Sequence, residues 1–158
     1  MPNMEILAPA GSVPALEAAV YNGADAVYLG LSEFNARMGA ENFTEENIAD
    51  SIAFCHERGV RVHAVLNTLV SDREMPLALK TAKTLASAGV DAFIVQDLGV
   101  VSLCRQLAPD VPIHASTQMS IHSLEGVLQA AALGCSRVVL ARELSLREIL
   151  GIRERVSP

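Results

Sequence analysis

The sequence predicts an α/β fold with a parallel sheet, and three observations carry that prediction. Short, nearly continuous apolar runs recur six times along the 158 residues. Longer stretches of helical periodicity separate them. Glycine closes four of those helical stretches, at Gly23, Gly59, Gly89 and Gly134. Short apolar runs suit strands covered on both faces, and strands that alternate with helices pair in parallel through right-handed crossovers.

Taken in order, the strands are expected at residues 5–8, 26–29, 60–66, 92–95, 112–115 and 137–141. In the second helix Thr44 is the expected N-cap, Glu45 and Glu46 meet the positive end of the helix dipole, and Ile48, Ile52 and Cys55 mark the buried face. Ser71 with Glu74, and Ser145 with Glu148, fit the Ser-x-x-Glu capping box at two further helix starts. Ala78, Ala82 and Leu85 form the inner stripe after the first box. The joints Gly23-Ala24-Asp25-Ala26-Val27 and Gly89-Val90-Asp91-Ala92-Phe93 echo each other as equivalent helix-to-strand turns. Units of roughly 20 to 35 residues fit two architectures: a complete open doubly wound sheet, or three quarters of an eight-unit barrel.

Composition excludes other classes. With 51% apolar and 19% charged residues the chain buries enough surface to order itself, which excludes low-complexity disorder. Charges such as Glu17, Asp25, Arg105 and Arg137 interrupt every window of about 18 residues, which excludes a membrane span. Met1 to Glu5 carries no basic patch ahead of an apolar stretch, so a cytoplasmic location is expected. The net charge of -6 argues against a broad basic surface, while leaving room for a local arginine patch. Cys55, Cys104 and Cys135 are odd in number and lack C-x-x-C spacing, so each is expected to be a small buried hydrophobe.

The first turn, Ala8-Pro9-Ala10-Gly11-Ser12, lacks G-x-G-x-x-G spacing, and no Walker A loop is present. In both architectures ligands sit at the carboxyl ends of the strands. The candidate substrate-binding residues are therefore Tyr28, Asn67, Gln96, Asp97, His114, Ser116, Gln118, Arg142 and Glu143, with Arg37 in the long connection 32–43. Alternation puts His114, Ser116 and Gln118 on one side of their strand, as a polar pocket lining or as a hydrogen-bonded belt. A serine-hydrolase arrangement of His114, Ser116 and Asp97 is disfavoured, because residues i and i+2 of a strand lie about 6.6 Å apart and no nucleophile elbow surrounds Ser116. Arg142 either pairs with Glu143 or holds a carboxylate or phosphate through its planar fork. His56 reads as a helix-end residue, and no histidine pair has the spacing of a zinc protease, so no metal site is expected. No residue is assigned a catalytic role.

Five segments together resemble the collagenase-like peptidase family, peptidase family U32. They are Leu7-Ala8-Pro9-Ala10-Gly11, Gly23-Ala24-Asp25-Ala26-Val27-Tyr28-Leu29-Gly30, Val95-Gln96-Asp97-Leu98-Gly99, His114-Ala115-Ser116-Thr117-Gln118-Met119-Ser120 and Val139-Leu140-Ala141-Arg142-Glu143-Leu144-Ser145. The resemblance implies an incomplete TIM-type βα barrel of six parallel units, residues 1–158 being a single barrel domain and an N-terminal fragment of a longer protein. It also implies one of two activities. Some family members are described as collagenase-like proteases, whereas others resemble oxygen-independent hydroxylases. The hydroxylases hold a four-iron, four-sulfur cluster on four cysteines and modify a transfer RNA uridine, a ribosomal RNA cytidine or a ubiquinone precursor, with prephenate the implied oxygen source for RNA. The family's cluster cysteines lie mainly beyond the sixth strand, so the expectation is no cofactor in this chain. An iron-sulfur hydroxylase of RNA bases is expected for the parent, with a peptidase or a non-catalytic binding module as alternatives, and the fragment alone is expected to be inactive. Six open units leave two strand edges bare, so the expected partner is the missing C-terminal part or a second copy, with RNA for the parent and no membrane.

Overall fold

In the computed structural model, which describes residues 4–36 and 41–156, strands and helices alternate as the sequence predicts. Their order is β1 (Leu7–Pro9), α1 (Val13–Tyr21), β2 (Ala26–Leu29), α2 (Ile48–His56), β3 (Arg61–Leu66), α3 (Met75–Ser87), β4 (Ala92–Val95), α4 (Leu98–Leu107), β5 (Ile113–Ala115), α5 (Leu124–Ala132), β6 (Arg137–Val138) and α6 (Leu146–Val156). All neighbours pair in parallel, in the spatial order β1-β2-β3-β4-β5-β6. A doubly wound sheet reverses strand order at a switch point, and this sheet never does, so the fold is an incomplete TIM-type barrel.

Strand alternation divides the sheet into two faces. Val27, Leu29, Val62, Ala64, Leu66, Phe93, Val95, Ile113 and Ala115 turn outward and join Leu16, Ile52, Ala82, Leu85 and Val101 of the helices in one apolar cluster. Phe93 is fully buried there, and removing such a ring typically costs about 3–5 kcal/mol. The opposite face carries Tyr28, His63, Val65, Ile94, His114 and Ser116 into the barrel interior.

Local hydrogen bonds explain where the elements begin and end. Ser12, Asp97 and Ser123 cap α1, α4 and α5, each side-chain oxygen accepting a backbone N–H three residues on. Thr44 is not the N-cap of α2. The helix starts at Ile48, and the Asn47 side chain instead accepts the Thr44 N–H at 2.9 Å, closing a preceding turn. The Ser145–Glu148 box forms in both directions: Glu148 accepts the Ser145 N–H at 2.8 Å, and Ser145 Oγ accepts the Glu148 N–H at 3.4 Å. Only half of the Ser71–Glu74 box forms, because the Glu74 N–H bonds to the Ser71 carbonyl at 2.9 Å and α3 begins one residue later. The four helix-ending glycines all have positive φ. At Gly134, with φ +95°, a Cβ would also sit 2.4 Å from Arg105 Nη1, which donates to the Leu133 carbonyl and so closes the end of α5.

Four strands run shorter or later than expected, β3 and β5 by one residue at their starts. The first spans Leu7–Pro9, and the last is only Arg137–Val138, since no described seventh strand continues its ladder. His56, at the end of α2, contacts Asp91 Oδ2 at 2.8 Å, and the same oxygen accepts the Val62 N–H at 2.7 Å, clipping the helix end to the sheet. Among the described residues no helix is long and apolar enough to cross a membrane.

Candidate functional site

The carboxyl ends of the strands surround a cavity of about 360 Å³. Tyr28 from β2, Val65 and Asn67 at the end of β3, Ile94 from β4, Ser116 to Gln118 after β5, and Val139 with Arg142 after β6 line it. The strands fold this way because each ends its apolar run here, and the polar residues that follow turn over the barrel mouth.

Beyond β5 the chain enters a 3₁₀ turn, Thr117–Met119, which Ser116 caps by accepting the Gln118 N–H at 3.2 Å. Ser120 closes the turn with φ +54°, a left-handed conformation unusual for a residue with a side chain. Gln96 braces this turn by donating to the Gln118 carbonyl at 3.3 Å. Asn67 accepts the Ala36 N–H at 3.0 Å through its amide oxygen, which leaves its NH₂ group as a donor.

Five candidates named from the sequence, Tyr28, Asn67, Ser116, Gln118 and Arg142, therefore meet in one cavity. Gln96 supports it from behind. Asp97 does not line it: its carboxylate accepts the Val100 N–H at 3.0 Å and the Val70 N–H at 3.4 Å, fixing α4 and the β3–α3 loop. Glu143 is exposed and makes no ion pair with Arg142. Arg37 lies outside the described residues. The lining residues missed were Leu7, Asn35, Ala36, Val65, Ile94, Thr117 and Val139. Period-two alternation from Tyr28, Ser116 and their register partners would have found Leu7, Val65, Ile94 and Val139, whereas Ala36 lies on the β2–α2 connection, outside any strand.

His114 lies one layer below Ser116 on the same face, buried, with its ring edge-to-face against His63 at 4.9 Å. Burial, then His63 and Arg137, push its pKa down to about 4. Burial also lowers that of His63, whose Nδ1 has no hydrogen-bond partner among the described residues. Both imidazoles are therefore neutral at pH 7. Ser116 and His114 share no hydrogen bond and Asp97 is committed elsewhere, so no nucleophile-base-acid relay is assembled from these three.

Cys55, Cys104 and Cys135 are buried in the helix-side core. Burial raises the Cys55 thiol to about 11 and Cys104 to about 12, and raises Cys135 in the same direction. Among the described residues no three His, Cys, Asp or Glu side chains converge on a point that would hold a metal ion. The cysteines of this chain thus do not fit a four-cysteine cluster, which needs accessible thiolates on one face.

Residues 11–158 match the sequence pattern of peptidase family U32. The chain belongs to that family. Its relatives include the tRNA hydroxylation protein P1 of Bacillus subtilis, 39% identical over 96% of this chain, and the 23S rRNA 5-hydroxycytidine C2501 synthase of Escherichia coli, 38% identical over 96%. The chain spans 36% and 22% of the length of those two proteins. Among solved structures, the U32 peptidase Mk0906 superposes with a TM-score of 0.78 at 20% identity, over 99% of this chain and 67% of that one. That likeness establishes the U32 barrel fold for the six units seen here.

Proposed function

We propose that this chain is the substrate-pocket segment of a longer U32 protein that hydroxylates an RNA base. The 38–39% identity to two RNA-hydroxylation proteins, over 96% of the chain, carries the reading. The cavity supports it physically. A base extruded from its strand needs an aromatic surface and hydrogen-bond donors, and Tyr28, Asn67 and Gln118 offer both within one pocket. The iron-sulfur chemistry expected of hydroxylating members would belong to cysteines outside this chain, and the protein would work in the cytoplasm. The bare β6 edge and the exposed Leu146 and Leu150 of α6 favour cover by further chain or a second copy. A peptidase reading follows from the family's name, but the separation of His114, Ser116 and Asp97 in role gives it no serine-type relay.

The test is gene deletion followed by mass spectrometry of nucleosides from total transfer and ribosomal RNA. Loss of one hydroxylated pyrimidine, restored by the wild-type gene, is expected. An unchanged nucleoside profile would overturn the proposal.

A further inference from the structure

Among the described residues, the cavity wall contains one charged residue, Arg142, and no carboxylate. Its guanidinium makes no ion pair or hydrogen bond with any described residue, although Glu143 is its neighbour in sequence. An arginine facing a pocket unpaired, in a chain of net charge -6, is an uncommitted anion receptor. In the same cavity wall the Thr117 hydroxyl and the Gln118 amide, both on the 3₁₀ turn, and the Asn67 NH₂ group after β3 add donors. The surrounding segment leans the same way: residues 137–155 hold five arginines, Arg137, Arg142, Arg147, Arg153 and Arg155, against three glutamates.

We infer that Arg142 binds the phosphate that adjoins the base held in the cavity, so that one pocket reads base and backbone together. The inference rests on the RNA-base reading above and adds the group that fixes register, since phosphate contacts position a nucleic acid while base contacts specify it. Arg142 contributes its planar fork to the phosphate oxygens, and Thr117 and Gln118 complete the donor set. A free carboxylate would present the same oxyanion chemistry, and the probes below separate the two.

The experiment titrates the chain at constant ionic strength and pH 7 with cytidine, cytidine 5′-monophosphate, inorganic phosphate and malonate. It reads each affinity by isothermal titration calorimetry and, in the wild-type chain, also follows the Arg142 Nε–Hε resonance, assigned by its loss in Arg142→Gln. Arg142 is exposed and unpaired, so this substitution leaves the fold intact. The monophosphate is expected to bind at least about tenfold more tightly than cytidine, as one charge-assisted contact would give. In Arg142→Gln the ratio of the two affinities should fall to about one, whereas the control Arg147→Gln should retain the advantage. Equal affinity for cytidine and its monophosphate in the wild-type chain, or an advantage that survives Arg142→Gln, would overturn the inference and leave the base pocket standing. Saturation by malonate at lower concentration than by phosphate would overturn it in favour of a carboxylate site. If phosphate saturates the resonance while neither nucleoside compound binds, the RNA reading itself falls and the inference with it.

Discussion

Glu5 and Arg137 stand 132 residues apart, yet their side chains meet at 3.3 Å. Glu5 precedes the first strand and Arg137 lies on the last, which has no pairing with β1. Their contact therefore measures the curl of the sheet. The other oxygen of the same carboxylate lies 2.8 Å from Arg61 on β3, so one acid sits between two guanidiniums.

Replacing Glu5 with Gln removes the charge between Arg61 and Arg137. Both arginines are 40–50% exposed or slightly more, so solvent screening keeps the effect small. A loss of about 1 kcal/mol is expected at low salt. It should shrink as salt rises, because partly exposed pairs are screened. Urea midpoints of the two proteins at low and high ionic strength check this, and equal midpoints at low salt would show that the curl does not depend on the clamp.

Stability should fall as pH drops from about 6.5 towards 4. In the folded chain burial holds His114 down to about 4, while in the unfolded chain it titrates near 6.5. Between those values the unfolded state binds a proton that the folded state refuses. The slope is roughly 1 kcal/mol per pH unit, and His63, lowered in the same direction, adds to it. Above pH 6.5 neither group contributes a slope. Urea unfolding of wild type and His114→Gln at pH 7.5 and 5.5 reads the difference, and the variant should lose less stability between the two.

Asp97→Ala should destabilise the fold by about 1–2 kcal/mol, since it strips the cap from α4 and a partner from the Val70 N–H. Asp97→Asn keeps an acceptor and should recover most of that loss. A thermal melt of both variants separates this capping role from a chemical one: equal loss in Ala and Asn would mean that the charge itself is needed.

The three cysteines should resist alkylation in the native chain at pH 8. Burial raises all three thiols, Cys55 to about 11 and Cys104 to about 12, so thiolate is scarce and access is closed. Counting thiols with a chromogenic disulfide should give three only after denaturant is added. Rapid labelling of Cys104 in the native state would contradict its place in the core.

Much of the fold was legible because its signals are local. Residues 26–29 and 92–95 were expected as strands and are strands, since both are apolar runs bounded by a Gly turn and a polar exit. The Thr44 cap failed for a local reason as well. Asn47, three residues on, accepts the Thr44 N–H in a turn that precedes the helix, which starts only at Ile48. The site was half legible. Polar residues at strand ends stand out against apolar runs, which singled out Tyr28, Asn67, Ser116, Gln118 and Arg142. Asp97 carries the same signal but serves a helix, and sequence cannot tell a carboxylate that faces a pocket from one that faces a backbone N–H.

By itself the sequence determined the alternation of strand and helix, the glycine turns, the buried cysteines and the family, because periodicity, turn chemistry and segment identity are properties of neighbouring residues. Only the tertiary structure decided between an open sheet and a curled barrel, since strand order and the meeting of Glu5 with Arg137 arise from pairing across long sequence distances. It also decided that Arg142 pairs with no described residue. Whether a guanidinium pairs with its neighbour Glu143 or turns to a cavity depends on where β6 places it against β5, and that is set by packing of residues far apart in the chain.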